Sequence, residues 1–272
     1  FSIFSGCSPQ TETTSVPVDT TVAFSQTGVQ EMPDQWWTAF RDQQLNTLVD
    51  SALESNFNLK TAWQRLQSAR AIVDRESSAL FPSLDASVHG EMSQYQNQFV
   101  QGQSFQVGLS SGYEVDLWGK IRSQVEAERF RARASLNEYQ AAALTLSAEI
   151  ASIWYQLIEA RNQLELVKQQ VTTNEKMLQL LKARFGSGQI RSADILRQRQ
   201  LLESTREQQI TAESRVQLLE HQLAVLLGNP PQKEITLAKD SLPQLPPVPE
   251  TGVPAELVQR RPDVKSAFNQ LQ

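Results

Sequence analysis

The residue best placed to do chemistry in this sequence is its one cysteine, Cys7. A single thiol excludes a disulfide within these 272 residues. The run Phe1-Ser2-Ile3-Phe4-Ser5-Gly6-Cys7 reads as the tail of an apolar signal segment, with small residues just before a cysteine. That is the pattern of a bacterial lipobox, in which the cysteine becomes the lipidated N-terminus, with Phe4 where such boxes usually carry Leu. The polar stretch after Cys7 offers no core in which to bury a thiol. The expectation is therefore lipid attachment at Cys7, with two fatty chains needed for a stable anchor. The two histidines, His89 and His221, are isolated and stand in no metal-ligand spacing. The acids are spread along helical segments as solvated faces, and no Gly-rich phosphate loop occurs. No catalytic residue, no metal and no cofactor beyond the covalent lipid are expected. With 25 basic and 30 acidic residues the net charge is −5, which gives no electrostatic case for nucleic acid.

Two short segments alternate with a period of two. Leu84, Ala86, Val88, Gly90 and Met92 alternate with Asp85, Ser87, His89, Glu91 and Ser93. Phe105, Val107, Leu109, Ser111, Tyr113, Val115 and Leu117 alternate with Gln106, Gly108, Ser110, Gly112, Glu114 and Asp116. This predicts strands with one apolar and one polar face. Each run matches the roughly 9 to 11 residues that a tilted strand needs to cross a bilayer. Alternation alone fits equally a barrel around water and a soluble hairpin packed on a helix. No run of eighteen apolar residues exists, so no transmembrane helix is expected.

The strands sit between helical segments. Leu45, Leu48, Val49, Ala52 and Leu53 mark one helical face, and Leu59, Ala62, Trp63, Leu66, Ala69, Ile72 and Val73 mark a second. Residues 120 to 185 contain no Gly or Pro, and a helix of that length reaches roughly 100 Å at ~1.5 Å per residue. Its apolar positions step by three and four from Leu136, Tyr139, Ala143, Leu146 and Ile150 to Leu178, Leu181 and Phe185, broken only by Asn174. Such a sustained heptad requires a coiled-coil partner. The partner follows Gly186-Ser187-Gly188, where Ile195, Gln198, Leu202, Thr205, Gln209, Ala212, Val216, Leu219, Leu223 and Leu226 continue the stepping. The short break makes the two helices antiparallel. Ser192 is the expected N-cap of the returning helix, with Asp194 in its first turn. The first helix is longer by about 27 residues, and that excess must pair elsewhere.

Gly228-Asn229-Pro230-Pro231 stops the second helix. Pro243, Pro246, Pro247, Pro249 and Pro254 mark an extended connector. Beyond it Asp263–Gln272 lines up with Asn58–Gln67 at a constant offset of 205, with four of ten positions identical. A second structural repeat is therefore expected to begin near the end of the sequence.

Three segments resemble one family. They are Trp36-Trp37-Thr38-Ala39-Phe40-Arg41-Asp42, Tyr113-Glu114-Val115-Asp116-Leu117-Trp118-Gly119-Lys120 and Arg260-Arg261-Pro262-Asp263-Val264. From about Trp36 to the end the chain resembles the outer membrane efflux proteins, the TolC/OprM-like factors, and Cys7 fits their lipoprotein branch. The resemblance implies a homotrimer in the outer membrane of a Gram-negative bacterium. Its subunits share a transmembrane β-barrel and a periplasmic helical tunnel. It also implies a periplasmic adaptor and an inner-membrane pump, RND type by expectation, which supplies the energy for export of drugs, toxic small molecules or metal ions. The strand residues Val88, Met92, Val107, Leu109 and Tyr113 would then face outer-membrane lipids. Phe185, Gly186, Gly188, Arg191, Ser192 and Asp194 resemble the family's adaptor-docking hairpin tip. The family pattern places a small hydroxyl residue three after the Gly. Here Arg191 stands in that position and Ser192 follows it as the candidate substitute cap.

The expected fold is mostly α with a small β part. Its organisation reads as a signal remnant (1–6), a lipid-anchored tether (7–42), first periplasmic helices (43–81), a transmembrane strand pair (82–118), a long coiled-coil hairpin (119–228), a Pro-rich connector (229–256) and the start of a second repeat (257–272). Alternatives are a protein-secretion channel of the same architecture and a periplasmic coiled-coil scaffold or adaptor.

Overall fold

A computed structural model describes residues 35–93, 102–231, 242–243, 245–246 and 258–272. Cys7 and most of the Pro-rich connector lie outside the described residues. The elements, in chain order, are a 3-10 turn at Trp36–Phe40, α1 (Gln43–Ser55), α2 (Phe57–Ser78), β1 (Ser83–Ser93), β2 (Gly102–Gly112), α3 (Lys120–Gly186), α4 (Ser192–Leu226) and α5 (Pro262–Leu271). The fold is mostly helical with one two-stranded antiparallel sheet. The described residues form two compact units. One holds those up to Thr61 and those of 140–259; the other holds Ala62–Tyr139 and Arg260–Gln272.

In the first unit, α3 runs towards Gly186 and α4 returns. Most of the apolar positions expected at their seam are removed from water, and Phe185 at its end is exposed. Leu146, Ile150, Ile153, Leu157, Ala160, Val167, Val171 and Leu178 are buried on α3, and Leu202, Thr205, Val216, Leu219 and Leu223 on α4. The Asn174 position that interrupts the apolar run is met by polar partners. Its Nδ2 donates to Thr205 Oγ1 at 3.0 Å, and Gln198 Nε2 donates to its Oδ1 at 3.2 Å. Ion pairs between Arg161 and Glu220 and between Arg206 and Glu175 cross the same antiparallel pair.

The N-terminal elements are tied to these helices by specific hydrogen bonds. Asp42 caps α1, its Oδ1 accepting from the N–H groups of Gln44 and Leu45 at 3.0 and 3.1 Å. Its Oδ2 accepts from the buried Trp154 Nε1 on α3 at 2.9 Å. At the other end of α1, Ser55 Oγ donates to Leu227 O and Asn56 Nδ2 to Leu226 O, at 2.7 and 2.9 Å. Those two carbonyls belong to the end of α4, where helix geometry leaves acceptors without intrahelical partners.

No transmembrane helix is expected from the sequence, yet α3 reaches the length and mean hydropathy of a spanning helix. One stretch of it passes by length and composition, and close to half of that stretch is buried. The cause is core packing on more than one side. Ala151, Trp154 and Ile158 are buried beside the heptad positions.

The second unit accounts for the excess length of α3. Its first turns lie with α2 and α5, not with α4. Trp63 on α2 meets Tyr139 edge-on at 5.4 Å. Ser266 Oγ and Gln270 Nε2 on α5 both donate to Glu138 Oε1, at 3.3 and 3.0 Å. The helices α2 and α5 begin at Phe57 and Pro262, the same point of the 205-residue offset. They bury different positions, Leu59 and Leu66 on α2 but Ser266 on α5.

Candidate functional site: the strand pair and the hairpin tip

The register of the sheet decides which side chains share a face. Val88 pairs with Val107, Ala86 with Leu109, Gly90 with Phe105 and Leu84 with Ser111. Directly paired residues point the same way, so the apolar residues of both strands form one row. The other face carries Asp85, Ser87, His89 and Glu91, the first three opposite Ser110, Gly108 and Gln106. Each strand is 11 residues long. The apolar row is open to solvent. Leu84, Val88, Phe105, Val107 and Leu109 are between 63% and 77% exposed. Among the described residues no helix covers this face. Met92 lies in β1 at the same parity as Val88, paired with Gln103.

Tyr113 requires a correction. The alternation predicted a strand running to Leu117, but β2 ends at Gly112, and Tyr113, Val115 and Leu117 lie beyond it. The reason is local. The ladder itself stops at Gly112 because Gly112 pairs with Ser83, the first residue of β1, and Pro82 before it has no N–H to extend the pairing. Beyond it, the Asp116 carboxylate turns back on the start of α3, accepting from Ile121 N–H at 3.2 Å and Arg122 N–H at 3.0 Å. Those backbone bonds, together with the Arg122 guanidinium, hold the Asp116 carboxyl below its usual pKa. Gly119, at φ +75°, makes the corner. Asp116 was not identified as a cap in the sequence, although an Asp a few residues before a long helix is the usual signal.

At the far end of α3 the chain reverses through a Schellman motif. Gln189 N–H donates to Arg184 O at 3.0 Å and Gly188 N–H to Phe185 O at 2.9 Å. Gly188, at φ +73°, supplies the left-handed residue, and a Cβ there would meet nothing within 4 Å. The expected cap Ser192 is corrected: it is the first helical residue of α4, and Arg191 is the cap residue. Asp194 does the capping work in reverse, its Oδ2 accepting from Arg191 N–H at 3.2 Å. That carboxylate satisfies the cap backbone, so the hydroxyl expected at position 191 is not needed for the turn to form. Phe185, Gly186, Gly188, Arg191 and Ser192 are all exposed, and Asp194 is half-buried. The tip is thus a hydrogen-bonded turn with its side chains open to solvent.

Strand pair and tip are joined by one continuous helix of 67 residues. Among the described residues no group of three or more His, Cys, Asp or Glu could hold a metal.

The family described as outer membrane efflux protein matches residues 48–229, which takes in α1 to α4 and both strands. The chain belongs to the outer membrane efflux proteins. Among relatives of this family, the pyoverdine export outer membrane protein OpmQ of Pseudomonas putida is 30% identical over 250 residues, covering 88% of this chain and 53% of its own. The cation efflux system protein CusC of Escherichia coli O157:H7 is 26% identical over 277 residues, 98% of this chain and 60% of its own. The solved structure of the outer-membrane channel OprN superposes with a TM-score of 0.76 at 26% identity, covering 92% of this chain and 60% of that one. The chain thus spans about half the length of the curated relatives it matches.

Proposed function

We propose that this chain is part of an outer-membrane efflux channel subunit, contributing two barrel strands and one long coiled-coil hairpin to a homotrimer. The observation that carries this is the exposed apolar row of β1 and β2 backed by a polar row. A barrel in lipid needs apolar residues outward and polar residues towards its water-filled lumen. The channel extends into the periplasm and conducts passively. A periplasmic adaptor and an inner-membrane pump of the RND type supply substrate and energy. Drugs, toxic small molecules or metal ions are the cargo class, in keeping with relatives named for pyoverdine export and cation efflux. Val88, Met92, Val107 and Leu109 face lipid, with Tyr113 just past the strand end. Cys7 carries the lipid anchor. The tip residues Phe185, Gly186, Gly188, Arg191, Ser192 and Asp194 receive the adaptor.

The tip gives the experiment. Gly186 ends α3 with open space around it and no positive φ, whereas Gly188 also carries backbone strain for any other residue. In the complete gene, Gly186→Trp and Gly188→Trp should each reduce drug efflux to the level of a deletion strain while the protein still reaches the outer membrane as a trimer. Retained efflux with both variants would remove the docking role from this turn. Growth of the same strains on labelled palmitate reads out the anchor, and an unlabelled protein would exclude lipid at Cys7.

A further inference from the structure

Away from the strand pair and the tip, one cleft collects positive charge without an evident structural use. It lies in the second unit between α2 and the first part of α3, with a volume of about 340 Å³. Arg70, Val73 and Asp74 line it from α2, and Arg129, Ala132 and Arg133 from α3. Arg70 and Asp74 are one turn apart, as are Arg129 and Arg133, so one face of each helix supplies the lining. Val73 and the small Ala132 leave the space between them open.

All three arginines are exposed; two rest against aromatic rings and the third is weakly paired. The Arg70 guanidinium lies 5.9 Å from the Trp63 ring centre, and that of Arg133 lies 5.1 Å from the ring centre of Phe130. Aromatic faces position a guanidinium while leaving its N–H edge available. Arg129 pairs with Glu126 at 3.3 Å with both side chains about half exposed, so the pairing is weak. Asp74 lines the cleft, but it makes no ion pair with these arginines within 4.0 Å. Three guanidiniums and Asp74 give the lining residues a net charge of +2, and Glu126 beside Arg129 lowers it to +1.

We propose that this cleft is a binding site for a phosphate group. One carboxylate ligand would occupy a single guanidinium fork, whereas a phosphate offers three acceptor oxygens and up to two charges to converging forks. The phosphate could come from a lipid headgroup or from a soluble phosphorylated molecule, and both present the same oxygens to the cleft.

The test uses the complete purified protein in detergent, titrated by calorimetry with inorganic phosphate and separately with short-chain phosphatidylglycerol. Saturable binding of either is expected, and the tighter of the two identifies the source. Replacing both Arg70 and Arg133 by Gln should weaken the stronger ligand about ten-fold or more, through loss of charge-assisted hydrogen bonds. The double Lys variant should fall between, because charge is kept and the fork is lost. Asp74→Asn should tighten binding, an effect that a merely structural role would not produce. Arg131→Gln, whose partner Glu128 lies outside the cleft lining, should bind as the parent does. No saturable binding of either probe, parental affinity in the double Gln variant, or an equal loss in Arg131→Gln would overturn the proposal.

Discussion

Asp42 holds three donors with two oxygens: two backbone N–H groups of α1 and the indole of Trp154, 112 residues along the chain. Its capping role is legible in the sequence from its place just ahead of Leu45. The indole contact is not, because nothing local pairs positions so far apart. Next to it, the Tyr155 hydroxyl is buried with no hydrogen-bond partner among the described residues. Burial first, and then the Asp42 carboxylate, push its pKa up to about 12 from 10. The sign follows from the raised value. Between pH 10 and 12 the unfolded phenol has ionised while the folded one has not, so stability falls with rising pH in that window. Tyr155→Phe should be as stable as the parent or more so by about 1 kcal/mol at neutral pH, since it removes an unsatisfied buried group. It should also show a flatter stability profile from pH 10 to 12. Denaturant titrations at a series of pH values check both.

At the scale of elements, most of the heptad on α3 and its continuation on α4 is legible, because a spacing of three and four favours one geometry for burial, while the exposed Phe185 and the buried Trp154 and Ile158 depart from it. Two ends differ from what spacing alone suggests: β2 stops at Gly112, where its partner strand begins at Ser83, and Asp194 accepts from the Arg191 N–H, which makes Arg191, not Ser192, the cap. Alternation and residue preference report the local backbone but not such return contacts. Within the seam, the Asn174–Thr205 pair is a polar layer that fixes register at some cost in stability. Asn174→Leu alone should destabilise by about 1 kcal/mol, leaving Thr205 and Gln198 without their partner. Adding Thr205→Val should recover most of that loss. A double-mutant cycle by thermal denaturation measures the coupling, and simple additivity would remove the layer's role.

For the whole molecule, the sheet is the feature that water cannot account for. A two-stranded hairpin is marginal in water, and this one presents Leu84, Val88, Phe105, Val107 and Leu109 in an open row. Its period was readable in the sequence, but its environment was not, because amphipathic strands look alike against lipid and against a helix. The structure narrows the choice by leaving that row uncovered among the described residues, while the helical residues bury a core of their own. The cleft of Arg70, Arg129 and Arg133 is likewise invisible in the sequence, since its lining comes from two helices far apart along the chain. The account stands or falls on which face of the hairpin meets lipid. The decisive measurement compares Val107→Arg with Gln106→Arg, adjacent positions on opposite faces, by the amount of complete protein assembled in the outer membrane. A charge on the lipid face near the bilayer midplane costs about 2–4 kcal/mol, whereas the lumen face tolerates it. Val107→Arg should therefore fail to assemble and Gln106→Arg should assemble normally. Equal assembly of the two variants, or failure of Gln106→Arg alone, would contradict the account.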